Sequence, residues 1–302
     1  AVTGRADLGA GLATLQHLGR ALPEVEFVGA VDRLDVITRA RATKDEAEVE
    51  RIRQIGRATV QVVADVANFL TSHRARNGVL LNQHDEVLTI GEVKRRINLW
   101  LAMRGAENPE GTIFAVGRDA GVPHSVGDDA APVEVGKSIV FDIFPCEAGG
   151  GYFYDMTRTW CLGFAPDEVQ RAHEEVLAVQ QEMCAALRAG TPFREYQKRT
   201  CQAFEARGHP TVQSTPGTRE GYVHSLGYGV GLAVQERPLA GYSDHNLEPL
   251  MPGAVVTVEP GLYYPERGYG VRIEDTLWIR PDGMAEVLAE FPRDLVLKVQ
   301  GA

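Results

Sequence analysis

Apolar residues recur at Val49, Ile52, Ile55, Val62, Val63 and Val66 with the spacing of one helix face. That spacing predicts a helix from Lys44 to about Leu70, with acidic residues in its first turn. Thr89, followed three positions later by Glu92, marks the start of a second helix over 90–103. Short apolar runs then predict strands over 112–116, 138–144 and 151–160, a long helix over about 166–187 and another over 193–207. After a loop rich in Gly, Thr and Pro, strands return near 254–259, 269–279 and 284–288. Strand pairs, two helices and more strand pairs imply an α+β layout, with helices backing a curved antiparallel sheet.

Residues 1–40 carry a short helical pattern (LGAGLATLQHLGRAL), an apolar stretch (VEFVGA) and a basic segment (RLDVITRAR). This is too little to bury a core alone. It reads as the remnant or linker of an N-terminal domain ahead of a main domain over 41–302. The first residue is Ala1, so a longer natural N-terminus is expected. The Leu, Val and Ile faces of residues 10–40 hint at a homodimer contact.

Composition narrows the class. A chain that is 44% hydrophobic and 24% charged has enough apolar content to fold, which excludes a disordered protein. The net charge of -10, without a block of like charges, argues against a nucleic-acid-binding surface. Cys146, Cys161, Cys184 and Cys201 form no CxxC pair, so reduced thiols in a cytoplasmic protein are expected. No apolar run approaches the length of a membrane span, and AVTGRADLG lacks a signal core.

Four carboxylates stand inside runs that otherwise read as buried strand: Asp142 in IVFDIFP, Asp155 in YFYDMTRTW, Glu259 in VVTVEPG and Glu274 in GVRIEDTLWI. A buried carboxylate must be neutralised, hydrogen-bonded or bound to a cation, and four such positions suggest a shared cation. Asp142 and Asp155 flank Gly149, Gly150 and Gly151, which suits a hairpin that aims both side chains at one point. Arg272 and Glu274 share strand parity, while Asp275 points the other way. Carboxylate oxygens are hard ligands that favour manganese, magnesium or a similar divalent metal. Two such ions, roughly 3.5–4 Å apart, can ionise a water and polarise a carbonyl beside it. The plainer reading is that each acid ends a strand or pairs with an arginine such as Arg158 or Arg272.

The ordered series VFDIFP, DMTRTW, HSLGYGVGL, VVTVEPGLYYP and GVRIEDTLWI resembles the pita-bread metallopeptidases, the family of methionine aminopeptidase, aminopeptidase P and prolidase, over roughly residues 40–300. The resemblance implies that fold, a metal-dependent exopeptidase activity, a short peptide substrate and a manganese-type cofactor. It makes Asp142 a metal ligand and Asp155 and Glu274 bridging ligands. Glu259 becomes a ligand that also handles the proton of the nucleophilic water. His124, in GVPHSVGDD, matches a histidine that borders the substrate cleft. His224 matches one near the leaving group in the proline-cleaving branch. Arg272 would contact the far end of the substrate, orient the carboxylates or form a structural salt bridge. Tyr263 and Tyr264 would line or support the cleft, and Asp244 and His245 belong to an exposed loop.

Two positions depart from the pattern. The family's ligand histidine lies in GHGxG, which reads GYGVG here and places Tyr228 at the ligand position, and a second histidine is replaced by Gln235. The site of Asp142, Asp155 and Glu274 stays complete. The other is expected to be weakened, supported by a Tyr228 phenolate, or absent. Gln235 can still donate a hydrogen bond to a substrate carbonyl or oxyanion. His224 lies too far along the chain for a simple swap with the lost ligand. HSLG, VGL and ERP lean toward the proline-peptide branch. Two alternatives remain: a pseudo-peptidase acting as a binding or scaffold module, and metal-independent chemistry with His124 as base.

Overall fold

The computed structural model describes residues 7–27, 36–241 and 247–302. Asp244 and His245, and part of the segment from VEFVGA to RLD, lie outside them. The chain groups into two compact units, Ala1–Arg41 and Ala42–Ala302. In the first, the helix Leu8–Ala21 is capped by Asp7, whose carboxylate accepts from the Ala10 amide at 3.0 Å, and none of its residues is buried.

The second unit begins with the helix Glu46–Ser72. Its start is fixed by a reciprocal capping box: Asp45 accepts from the Glu48 amide and Glu48 from the Asp45 amide, both at 2.8 Å. Its buried face holds Val49, Ile52, Ile55, Val62, Val63, Val66 and Leu70. With the Thr89-capped helix Ile90–Met103 it covers a four-stranded sheet. That sheet runs Val296–Leu297, Met156–Leu162, Ser138–Ile143, Thr112–Val116; its first pair is parallel and the others antiparallel. Phe141 and Trp160 anchor this core.

The helices Asp167–Ala186 and Phe193–Glu205 share a second core with a five-stranded antiparallel sheet, in the order Ala285–Val287, Asp275–Ile279, Val255–Val258, Tyr228–Gly229, Glu236–Leu239. A hairpin of Gly261–Tyr264 and Tyr269–Arg272 completes it. No helix among the described residues is long and apolar enough to cross a membrane.

Two expected strands depart most from their sequence pattern. The strand expected over 151–160 begins at Met156. Before it, Tyr152 donates its amide to Glu147 at 2.9 Å and Phe153 bridges Cys146, so the chain turns in its own small loop first. The run expected over 269–279 is two strands, Tyr269–Arg272 and Asp275–Ile279, broken at Ile273 and Glu274. There the Ile273 amide donates to the Pro260 carbonyl and the Glu274 amide to the Thr157 carbonyl, at 3.4 and 3.1 Å. The break lets one chain segment leave its hairpin, touch the four-stranded sheet and join the five-stranded one. Glu274 sits at that crossing.

Candidate metal centre

Asp142 lies within the strand Ser138–Ile143, opposite Thr157, and Asp155 immediately precedes the adjacent antiparallel strand. With Glu274, these residues place one carboxylate oxygen each within 4.8 Å of the others, all three buried. Glu259 follows the strand Val255–Val258 and is buried beside them; its amide donates to the Leu226 carbonyl at 2.8 Å. It stands outside the 4.8 Å group.

Each clustered carboxylate has one oxygen with a donor and one without. Asp142 Oδ2 accepts from Arg272 Nη2 at 2.6 Å, Asp155 Oδ2 from the Tyr228 hydroxyl at 2.5 Å and Glu274 Oε2 from Thr157 Oγ1 at 2.7 Å. Asp142 Oδ1, Asp155 Oδ1 and Glu274 Oε1 are buried and unpartnered. Buried polar atoms without partners are costly, and three on neighbouring acids fit a hard divalent cation.

The protonation equilibria agree. Burial, reinforced by the charges of Glu274 and Asp142, pushes Asp155 well above the usual carboxylate range. Burial and Glu274 do the same to Glu259. Burial, with Asp142, raises Glu274 to about 8. A carboxyl whose pKa rises on folding contributes stability at pH below its unfolded value and loses it as pH climbs through the folded value. For Glu274 that window runs from 4.5 to about 8. Metal-free protein is therefore expected to lose stability across this range, and the gap in thermal midpoint between metal-free and manganese-loaded protein to widen. Calorimetry at about pH 5 and about pH 8 measures the gap; an unchanged gap would contradict the shared-charge account.

Arg272 is the hub of a polar chain. Besides Asp142, it donates to Tyr263 Oη at 2.8 Å, the Pro123 carbonyl at 3.1 Å and Thr157 Oγ1 at 3.1 Å. Tyr263 Oη lies 2.9 Å from His224 Nε2, and His224 Nδ1 lies 2.7 Å from the Ser225 carbonyl. Burial first, then the Arg272 charge, pushes His224 down to about 3. His224 is thus neutral, and its 4.0 Å approach to Glu259 is no ion pair. These partners assign the His224 proton to Nδ1, with Nε2 accepting from Tyr263. His124 is exposed, next to Pro123.

Tyr228 is held as a phenol. Burial, then the charge of Asp155, pushes its pKa well above the usual tyrosine value, and its hydroxyl donates to Asp155. The glycines beside it have a steric reason: a Cβ on Gly227 would lie 2.1 Å from the Thr257 carbonyl oxygen, and one on Gly229 2.2 Å from that of Arg237. Gln235 is exposed, with φ of 61°, and its side chain makes no hydrogen bond to these residues. Nothing in the structure places it as the expected oxyanion donor.

Sequence reasoning passed over Thr157 and Thr257. Thr157 shares strand parity with Asp155, which was the available signal. Thr257 shares parity with Glu259 in the same way; it accepts from the Tyr228 amide at 3.1 Å and donates to Glu259 Oε1 at 3.3 Å.

Comparison with known proteins gives a consistent picture. The model of metallopeptidase family M24 matches residues 50–281. A Xaa-Pro dipeptidase of Pyrococcus furiosus is 32% identical over 265 residues, covering 87% of this chain and 67% of that protein. A probable dipeptidase PepE of Mycobacterium tuberculosis is 29% identical over 280 residues, covering 91% of this chain and 66% of that protein. The chain thus spans about two thirds of the length of these relatives. Among solved structures, an X-Pro aminopeptidase from Thermotoga maritima superposes with a TM-score of 0.77 at 28% identity, covering 95% of this chain and 72% of that one. A prolidase from Pyrococcus furiosus gives 0.70 at 28% identity, covering 86% and 68%.

Proposed function

Because the chain belongs to metallopeptidase family M24 and has the pita-bread fold, we propose that it is a metal-dependent exopeptidase that cuts peptides beside proline, near a chain terminus, with manganese as its ion. The observation that carries this reading is the set of three buried, unpartnered oxygens on Asp142, Asp155 and Glu274. A metal-independent reaction with His124 as base leaves those oxygens without a function. The binding-module alternative has no support among relatives named as peptidases.

Asp142, Asp155 and Glu274 would hold the ion. Bound there, a divalent ion supplies Lewis acidity, polarising a carbonyl and acidifying a water. Glu259, raised in pKa and outside the cluster, would take up the water's proton and return it to the leaving group. Arg272 fixes Asp142 and, through Tyr263, holds His224. The proline preference draws on the relatives' names, Xaa-Pro dipeptidase and X-Pro aminopeptidase.

The test is hydrolysis of a panel of dipeptides and longer peptides, with and without proline, in manganese, with the released product identified by mass. Cleavage confined to bonds beside proline is expected. Equal cleavage of proline-free peptides would refute the preference while leaving the peptidase assignment in place.

A further inference from the structure

We propose that this chain holds a single divalent ion, at Asp142, Asp155 and Glu274, and that the Tyr228 hydroxyl stands in place of a second one as a fixed donor to Asp155. The proposal rests on the metallopeptidase reading above for the presence of an ion at all. It concerns how many.

A two-ion centre needs bridging carboxylates that offer oxygen to both ions. Asp155 and Glu274 are the two acids the resemblance assigns to bridging, and neither has two uncommitted oxygens. Asp155 Oδ2 accepts from the Tyr228 hydroxyl, whose single proton is committed there. Glu274 Oε2 takes the proton of Thr157. Thr157 Oγ1 also accepts from Arg272 Nε at 3.1 Å, so its hydroxyl is oriented toward Glu274 from the other side. The unpartnered oxygens that remain, one on each of three acids, make one ligand set.

Tyr228 is poorly placed to withdraw. Its amide is tied to Thr257 Oγ1, and Gly227 and Gly229 pack directly against the carbonyls of neighbouring strands. The same Thr257 hydroxyl turns to Glu259, the remaining acid expected at the second position, which lies outside the cluster. The second position therefore lacks an imidazole and a clustered glutamate, and the bridging oxygens left to it already accept hydroxyl protons. It does not fit an ion.

The experiment is metal stoichiometry with electron paramagnetic resonance on the full chain, stripped and then equilibrated with manganese. One manganese per chain, with the spectrum of an isolated ion, is expected. Tyr228→His, which adds an imidazole and frees Asp155 Oδ2 while Glu274 Oε2 stays with Thr157, should take up a second ion more weakly than the first and, when loaded, give the spectrum of an exchange-coupled pair. Tyr228→Phe, which removes the donor without adding a ligand, should stay at one. Two ions on the native chain, or a phenolate absorption band that grows in with manganese, would overturn the proposal. Binding of one ion without release of product from any peptide would uphold it and overturn the peptidase reading; binding of none would overturn both. Should Tyr228→His fail to fold, the native stoichiometry and the absence of a phenolate band decide the matter alone.

Discussion

Asp155→Asn is expected to lower kcat/KM for a proline-containing peptide by ~10³-fold or more, which corresponds to about 4 kcal/mol of lost transition-state stabilisation. The change is nearly isosteric, and an amide oxygen can still accept from Tyr228, so packing survives. What is lost is one of three anionic ligand oxygens, in a site where Asp155 is fully buried. Manganese affinity, measured by titration calorimetry, should fall in parallel. Gln235→Ala is the control: an exposed side chain with no hydrogen bond to the centre should leave kcat/KM within about twofold. A large loss for Gln235→Ala with a small one for Asp155→Asn would place the chemistry elsewhere.

Arg158→Met is expected to destabilise the fold by about 3–5 kcal/mol in urea denaturation, the usual result of removing one partner from a buried ion pair. Arg158 is 1% exposed and Asp275 fully buried, with Nη2 at 2.7 Å from Asp275 Oδ1. The guanidinium also donates to the carbonyls of Thr157, Glu274, Phe291 and Pro292, all within 3.0 Å. Those acceptors would lose a buried donor. Asp275 would keep only Gln180 and Arg293. Because Arg158 Nη1 holds the Glu274 carbonyl where the chain crosses between sheets, weaker manganese binding should accompany the lost stability. The double change with Asp275→Asn should cost less than the sum of the two single changes, since the pair is coupled.

Much of this architecture was legible because its signals are local. The helix Glu46–Ser72 declares itself by apolar spacing and by Asp45 and Glu48, and Ile90–Met103 by Thr89. The strand Thr112–Val116 is a short apolar run between turn residues, and the structure keeps its bounds. The break at Ile273 and Glu274 was hidden because V-R-I-E alternates as a strand would and the apolar run L-W-I follows closely. Only the distant Pro260 and Thr157 carbonyls divide it. The parity argument survived that break: Arg272 faces Asp142, whereas Asp275 is turned toward Arg158, Gln180 and Arg293. The partner of Tyr228 could not be read from its neighbours in sequence, since that atom, Asp155 Oδ2, is contributed from the other sheet. The position of Gln235 depends on a left-handed backbone turn that one residue type does not announce.

The most direct measurement of the central claim, that buried carboxylates on two sheets form a metal-dependent peptidase, is turnover of one Xaa-Pro dipeptide through a cycle of manganese, excess chelator and manganese restored. Hydrolysis that stops with chelator, returns with manganese and is missing in Asp155→Asn throughout is the expected result. Hydrolysis that continues in chelator at the full rate, or that Asp155→Asn retains, would contradict it.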